Sequence, residues 1–346
     1  MTLVKTLMIL PAPDSTGLST LELACAASAH DSLIYEKSVK LLQSSDNAIP
    51  NYILAVTPQN LGAAHQLGAK YGAKVFGSNC TAGILNAHAA GLPKRATVHC
   101  YTDQTGLLIT AQYLPPMPDD LSCDLSAINQ AAPKPIEKLA VELQNTFNMQ
   151  GAWHFQADAD GGNMQIMPWA DPQHAQLFRA IGINWYALMV FEAMGRPISI
   201  LRQPLTGTAT LHSNRTTSLH IPFKTVYLDF DDTLIVHSAI NPHAMKFLQA
   251  CNNNQIAVHL ITRHFQDPLI TLSAYNIDSK LFTSIIWITD GSAKSTHIKI
   301  DSAIFIDDSF QERMEVSERL KIPTFPPDSV EAFPVPSRKK LSFDSV

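Results

Sequence analysis

The segment Thr225-Val-Tyr-Leu-Asp-Phe-Asp-Asp-Thr-Leu234 constrains the fold more than any other part of the chain. An apolar strand pattern (Val226, Tyr227, Leu228) runs straight into three carboxylates and a threonine. Strands of this kind usually end in Gly, Asn or a single polar residue. Asp229 and Asp231, two apart at a strand end, bring like charges to one point, which is costly unless a cation sits between them. An acidic turn closing a hairpin is the competing reading, and three downstream segments weigh against it. Ile256 to Thr262 is an apolar strand ending in a hydroxyl, followed by Arg263. Ser284-Ile-Ile-Trp-Ile288 leads into the small-residue loop Gly291-Ser-Ala-Lys-Ser-Thr296, which carries Lys294. Ala303-Ile-Phe-Ile-Asp-Asp-Ser309 is another buried-type strand ending in two carboxylates, Asp307 and Asp308. Helical spacing runs between these strands, from His243 to Asn253, Asp267 to Tyr275 and Gln311 to Leu320. Strand alternating with helix predicts an α/β, doubly wound parallel sheet whose strand C-termini gather all four segments on one edge.

Residues 223 to about 330 resemble the haloacid dehalogenase superfamily of phosphohydrolases. Asp229-Phe-Asp-Asp-Thr233 matches its Asp-x-Asp-x-Thr signature, Thr262 its second motif, Lys294 its third and Asp307-Asp308 its fourth. A Gly is common in that family where Asp232 stands here. The resemblance implies that Asp229 is the nucleophile, forming an aspartyl-phosphate with a phosphate monoester. It implies that Asp231 is first the general acid for the leaving group and then the base for water, with Thr262 and Lys294 holding the phosphoryl oxygens. Mg²⁺ would be bound by Asp229, the Asp231 backbone carbonyl, and one or both of Asp307 and Asp308. The chemistry is consistent with these roles. Phosphoryl transfer depends on positioning and charge neutralisation, and a hard cation suits an aspartate cluster. A carboxylate can attack phosphorus once a metal and a lysine screen the repulsion.

Many members of that family carry a cap domain between these motifs. The intervals from Asp229 to Thr262 and from Thr262 to Lys294 are each about thirty residues, below the ~50 a folded domain needs. A capless, open site is therefore expected, suited to large phosphoesters or covered by another part of the chain or a second subunit. Charged residues make up 16% and the formal net charge is −5, so no basic face points to nucleic acid. The 5 cysteines form no CxxC pair, which reads as reduced, mostly buried thiols of a cytoplasmic protein. Leu7 to Leu10 is too short for a signal core and stops at Pro11, and no stretch is apolar enough to span a membrane.

The first two thirds of the chain carry weaker signals. Leu33 to Ser44 and Leu61 to Tyr71 have helical apolar spacing, and Ala132 to Asn148 reads as an amphipathic helix with Pro133 and Pro135 near its first turn. Trp153 to Asp158 and Met164 to Met167, joined through Asp160-Gly-Gly-Asn163, read as a hairpin. Gln173 to Met194 is mostly helical around Gly182. A polar stretch from Leu205 to Pro222 marks a connecting segment or an edge hairpin.

Over about residues 31 to 205 this layout resembles the ATP-grasp fold of carboxylate–amine ligases, an α+β domain, with residues 1–30 in place of the usual N-terminal subdomain. Glu36-Lys37 would open a helix. Lys74, before Gly77-Ser-Asn-Cys-Thr-Ala-Gly83, looks like the phosphate-covering lysine. Gln112-Tyr-Leu-Pro115 with Cys123-Asp124 resembles the nucleotide hinge. Gln156 and Gln165-Ile-Met-Pro-Trp169 resemble the paired metal strands. The family's second metal strand reads Glu-x-Asn-Pro-Arg, and here Gln165, Met167 and Trp169 replace its functional residues. An amide and a thioether are poor Mg²⁺ ligands. The resemblance thus implies a degenerate domain, with Lys74 and Gln112 as its remaining nucleotide contacts.

Three functions follow as expectations. The first is a Mg²⁺-dependent phosphatase acting on a phosphorylated substrate, with the N-terminal domain as lid or platform. The second is a bifunctional enzyme whose N-terminal domain still binds ATP or ligates a carboxylate. The third is a binding or regulatory protein. Among the 13 histidines, His237, His259, His264 and His297 fall near the expected site, and hydrogen-bonded structural roles suit them better than metal ligation. Arg313 and Arg319 read as a solvated helix face, Asp158 and Asp160 as a hairpin turn, and the tail from Pro334 as poorly ordered.

Overall fold

The computed structural model describes residues 5–9, 32–36, 52–55, 69, 74–76 and 85–88. From 92 to 334 it describes all but 119–120, 161, 194, 204, 213–215 and 237. The chain divides into two compact units, Met1–Thr217 and Ser218–Val346. Together they make a mixed α/β protein with parallel and antiparallel sheets. No helix among the described residues is long and apolar enough to cross a membrane.

The first unit opens with β1 (Lys5–Ile9), β2 (Ser32–Glu36), β3 (Tyr52–Ala55) and β4 (Lys74–Phe76). These form a parallel sheet in the order β2-β1-β3-β4. The pairing of β1 with β2 crosses residue 30, where a boundary was expected. Residues 33–36, at the start of the span 33–44 read as helical, are strand, with Glu36 the last residue of β2, and residues 37–44 lie outside the described residues. Two adjacent apolar residues in a short run satisfy either period, and here the parallel ladder decides. The expected helix at 61–71 and the Gly77–Gly83 loop lie almost wholly outside the described residues.

An antiparallel sheet follows, built from β5 (Leu85–His88), β6 (Thr97–Thr102), β7 (Leu108–Leu114), β9 (Gly151–Ala157) and β10 (Asn163–Met167) in the order β5-β10-β9-β6-β7. Successive side chains of a strand point to opposite faces. One face carries Val98, Cys100, Ala111, Trp153, Phe155, Met164 and Ile166, packed with Ile136, Ala140 and Leu143 of a helix. That helix, Lys134–Phe147, has Pro in its first turn and ends on Asn148 in the left-handed conformation, start and stop signals that need no tertiary help. The opposite face is polar yet buried: Thr97, His99, Thr110, Gln112 and His154. The hairpin turn between β9 and β10 is closed by Asp158, whose carboxylate accepts the amides of Gly162 and Asn163.

Among the described residues the helices of this unit are, in chain order, α1 (Leu125–Ile128), α2 (Lys134–Phe147), α3 (Pro172–Ala180) and α4 (Trp185–Ala193). Gly182, at φ +94°, breaks α3 from α4, a backbone state that suits glycine. β8 (Ser122–Asp124) pairs antiparallel with β11 (Thr208–Leu211), and β12 (Thr217–His220) follows at the unit boundary, so the polar connecting stretch contains strands.

The second unit is a five-stranded parallel sheet in the order β17-β16-β13-β18-β19. Its strands are β13 (Thr225–Leu228), β16 (Ala257–Thr262), β17 (Ser284–Trp287), β18 (Ala303–Ile306) and β19 (Thr324–Phe325), with β14 (Ile235–Val236) and β15 (Ala239–Ile240) forming a small hairpin. The helices between are α5 (Pro242–Asn253), α6 (Pro268–Ala274) and α7 (Phe310–Leu320). Each start is written locally. Asn241, Asp267 and Ser309 cap α5, α6 and α7, and Pro242 and Pro268 follow their caps directly. Phe223, Phe247, Phe325 and Phe333 pack in tilted and edge-to-face pairs, carrying the packed core beyond residue 330.

Candidate functional site

β13 lies at the centre of the second sheet, paired with β16 on one side and β18 on the other. The parallel register therefore brings the ends of all three strands to one edge. Asp229 follows β13 directly, its amide bonded to the Ile306 carbonyl at 2.9 Å. Asp307 follows β18 and is fully buried. Lys294 stands at the start of a short 3-10 helix, Lys294–His297. Its Nζ lies 2.6 Å from Asp229 Oδ1 and 2.6 Å from Asp307 Oδ2. One oxygen from each of Asp229, Asp307 and Asp308 falls within 4.8 Å of the others. Residues far apart in sequence thus converge where the alternation of strand and helix places them.

Electrostatics favours a cation at this point. The three carboxylates outnumber the Lys294 ammonium and the buried guanidinium of Arg313 on the Asp307–Asp308 loop, so negative charge remains for a cation to balance. Burial, reinforced by the Asp307 carboxylate, holds the Asp229 carboxyl well above its usual range, with Lys294 opposing. Burial alone would lower Lys294, but Asp229 and Asp307 outweigh it and hold the ammonium above the ordinary lysine value. Lys294 is the group that keeps its charge, because it faces two carboxylates while Asp229 faces one ammonium and a second carboxylate. The all-oxygen donor set of the triad fits a hard divalent cation such as Mg²⁺.

The surrounding residues hold the triad in place. The fully buried Thr233 accepts the Asp308 amide at 3.1 Å, tying the first loop to the fourth. Asp232, where glycine was noted as common, takes φ +52°, a left-handed state that Asp tolerates better than most residues. Ser309 caps α7 by accepting the Glu312 amide, and its own amide bonds Asp307 Oδ1 at 2.8 Å. Arg313 is not on a solvated face. It is buried and donates to the carbonyl oxygens of Asp307 and Asp308 at 2.6 and 2.7 Å. Its position one turn into α7 points it back toward the loop that precedes the helix. Arg319 stays exposed, paired with Glu315.

Asp231 and Thr262 reach the same edge, where both contact His264. Asp231 is half exposed, and both its carboxylate oxygens contact His264 Nδ1, at 2.8 and 2.9 Å. His264 Nε2 is 2.8 Å from Thr271 Oγ1. The role given to His264 from sequence, a structural histidine, omits this pairing. Its place two residues after Thr262, at a strand end facing Asp231, was the available signal. The Thr262 hydroxyl accepts the His264 amide at 3.0 Å. His259 and His297 are hydrogen-bonded to Ser284 and Ser292, and His237 lies outside the described residues.

The two nucleotide residues expected in the first unit stand in different sheets. Lys74 opens β4, opposite Tyr52. Gln112 sits in β7 opposite His99. It is fully buried, with Nε2 donating to Thr110 Oγ1 at 2.8 Å and Oε1 lacking a partner. Gln165 pairs in register with Gln156, as expected of two adjacent strands. Asp124 caps α1 through the Ser126 amide.

No family model and no curated protein matches the chain. Among solved structures it is similar to the phosphoribosylaminoimidazole carboxylase ATPase subunit from Aquifex aeolicus. That likeness has a TM-score of 0.35 and 10% identity, and covers 60% of this chain and 81% of the other. That neighbour is an ATPase subunit. The expectation of a Mg²⁺-dependent phosphatase working through an aspartyl-phosphate is corrected on that finding, and with it the designation as a hydrolase.

Proposed function

We propose that the chain is a nucleotide-handling enzyme, in which the first unit binds ATP and the acidic centre of the second holds Mg²⁺ and an oxyanion. The observation that carries this reading is the acidic centre itself, three carboxylates converging within 4.8 Å around a buried ammonium. Mg²⁺ takes one or two carboxylates and completes its shell with water and phosphate oxygens, and a lysine serves as a point charge for the same oxygens. When bound, the ion would supply charge neutralisation for a phosphate-bearing ligand. In the first unit, support comes from the buried polar face of the antiparallel sheet. There the unpartnered Gln112 Oε1 offers an acceptor suited to the exocyclic amine of adenine. Ligation is not part of the reading, because Gln165, Met167 and Trp169 stand where charged metal ligands and an arginine belong.

Calorimetric titration tests both halves. Mg²⁺ binding to the full-length protein should weaken at least tenfold in Asp307→Asn, a loss of about 1.4 kcal/mol or more, with ATP binding unchanged. ATP binding should weaken in Gln112→Met with Mg²⁺ binding unchanged. If ATP neither binds nor protects the wild type against heat, the nucleotide reading fails.

A further inference from the structure

The buried polar face of the first unit carries a second cluster, independent of the acidic centre. His99 lies on β6 and His154 opposite it on β9, their rings stacked with centroids 5.4 Å apart. Asp171 precedes α3 and His174 lies in its first turn. His154 Nδ1 is 2.6 Å from the Trp169 carbonyl. A carbonyl only accepts, so that nitrogen carries the hydrogen and Nε2 presents a lone pair. This lone pair faces Asp171 Oδ2 at 3.9 Å, an acceptor against an acceptor. His174 Nδ1 lies 3.3 Å from the same carboxylate oxygen and 3.2 Å from His99 Nε2. His99 Nδ1 is buried with no hydrogen-bond partner. Every neutral arrangement of the hydrogens therefore leaves His99 Nδ1 buried and unsatisfied, which is costly.

We propose that His154, Asp171 and His174, with His99 beside them, form a binding site for a divalent transition-metal ion of the zinc type. Imidazole nitrogens with one carboxylate are the donor set of such ions, and neutral histidine is the form that ligates. A tetrahedral shell with metal–ligand distances of 2.0–2.1 Å puts neighbouring ligand atoms about 3.4 Å apart. The three successive separations here are 3.9, 3.3 and 3.2 Å. They run as a chain from His154 to His99 and are not closed within 4.8 Å as the acidic triad is. Binding would therefore draw the His174 ring inward from α3. The Trp169 carbonyl holds the far nitrogen of His154, the outer support that ligating histidines commonly have. Phe178 and Trp185 pack on the His99 ring with centroids 4.8 and 6.3 Å away, walling the site with aromatic surface. Burial, followed by the neighbouring histidines, lowers His99; burial lowers His154 as well. Burial alone would raise Asp171, but the hydrogen bond and charge of His174, with His154 and His99, hold it well below its usual range. An ion at this point would fasten α3 to strands β6 and β9.

The test uses Co²⁺ as a spectroscopic probe on full-length protein stripped with chelator. The expected result is one equivalent of Co²⁺ with the intense visible bands of a tetrahedral nitrogen-ligated ion, displaced by Zn²⁺. Those bands should persist in Asp307→Asn, which disables the acidic centre, and be lost or weakened at least tenfold in His174→Ala. Asp171→Asn serves as a second variant if circular dichroism shows His174→Ala to be unfolded. Absence of the bands in the wild type overturns the proposal. So do bands that survive the cluster variants or disappear in Asp307→Asn.

Discussion

Replacing Lys294 by methionine probes the acidic centre most directly. The ammonium lies 2.6 Å from Asp229 and from Asp307, and both carboxylates are more than nine-tenths buried. Methionine keeps the apolar stem and removes the charge, so two buried carboxylates are left facing each other without a cation. Removing one partner of a buried ion pair costs about 3–5 kcal/mol. The second unit has about 130 residues, for which 1 kcal/mol moves the unfolding midpoint by ~3–4 °C. Its transition should fall by roughly 10–18 °C in chelator near neutral pH. The sign of the pH effect follows from Asp229, whose carboxyl is already held above its ordinary range in the folded protein. A carboxyl raised on folding binds its proton more readily in the native state, so the penalty is full above the folded pKa and relieved as pH falls through it. The variant should therefore recover on mild acidification, and recover further with saturating Mg²⁺, which replaces the missing positive charge. Differential scanning calorimetry across pH and Mg²⁺ concentration reads all three effects. A drop under ~3 °C, or one that neither acid nor Mg²⁺ relieves, would refute the reasoning.

Two further outcomes are expected. Arg313→Met removes the donor shared by the Asp307 and Asp308 carbonyls, leaving two buried acceptors. It should cost about 2–5 kcal/mol in urea denaturation and weaken Mg²⁺ about tenfold, with partial recovery in Arg313→Lys. In the first unit, burial lowers His99 and His154, while the unfolded chain protonates them below the ordinary histidine value of about 6.5. Their contribution to stability is present above that pH and lost as pH falls below it, by about 1.4 kcal/mol per pH unit for each histidine. Urea titrations between neutral pH and about pH 5 measure the slope, and a flat profile for the first unit's transition would contradict it.

Arg313 marks the limit of what periodicity reveals. An arginine on an amphipathic helix is usually solvated, and the sequence offers no reason to except this one. The exception arises because Arg313 lies one turn into a helix that begins at the acidic loop, where carbonyl oxygens face it. His264 was open to the same oversight, since its partner Asp231 lies on a different strand. Residues 33–36, the first part of the span read as helical, are strand because a short apolar run satisfies both periods, and only the neighbouring strand β1 chooses between them.

Much of the second unit was legible from the chain alone. Its alternating strands and helices, the Asn241, Asp267 and Ser309 starts and the carboxylates at strand ends are all local signals, set by side-chain period and capping chemistry. The convergence of Asp229, Lys294 and Asp307 follows from them, because a parallel sheet collects its strand ends on one edge. What only the tertiary structure decided depends on pairings between distant segments. The register of β6 with β9 sets His99 against His154, and the turn before α3 delivers Asp171 and His174 to the same face. No local pattern encodes that meeting, because the contacts are made between residues whose separation in sequence carries no periodic mark.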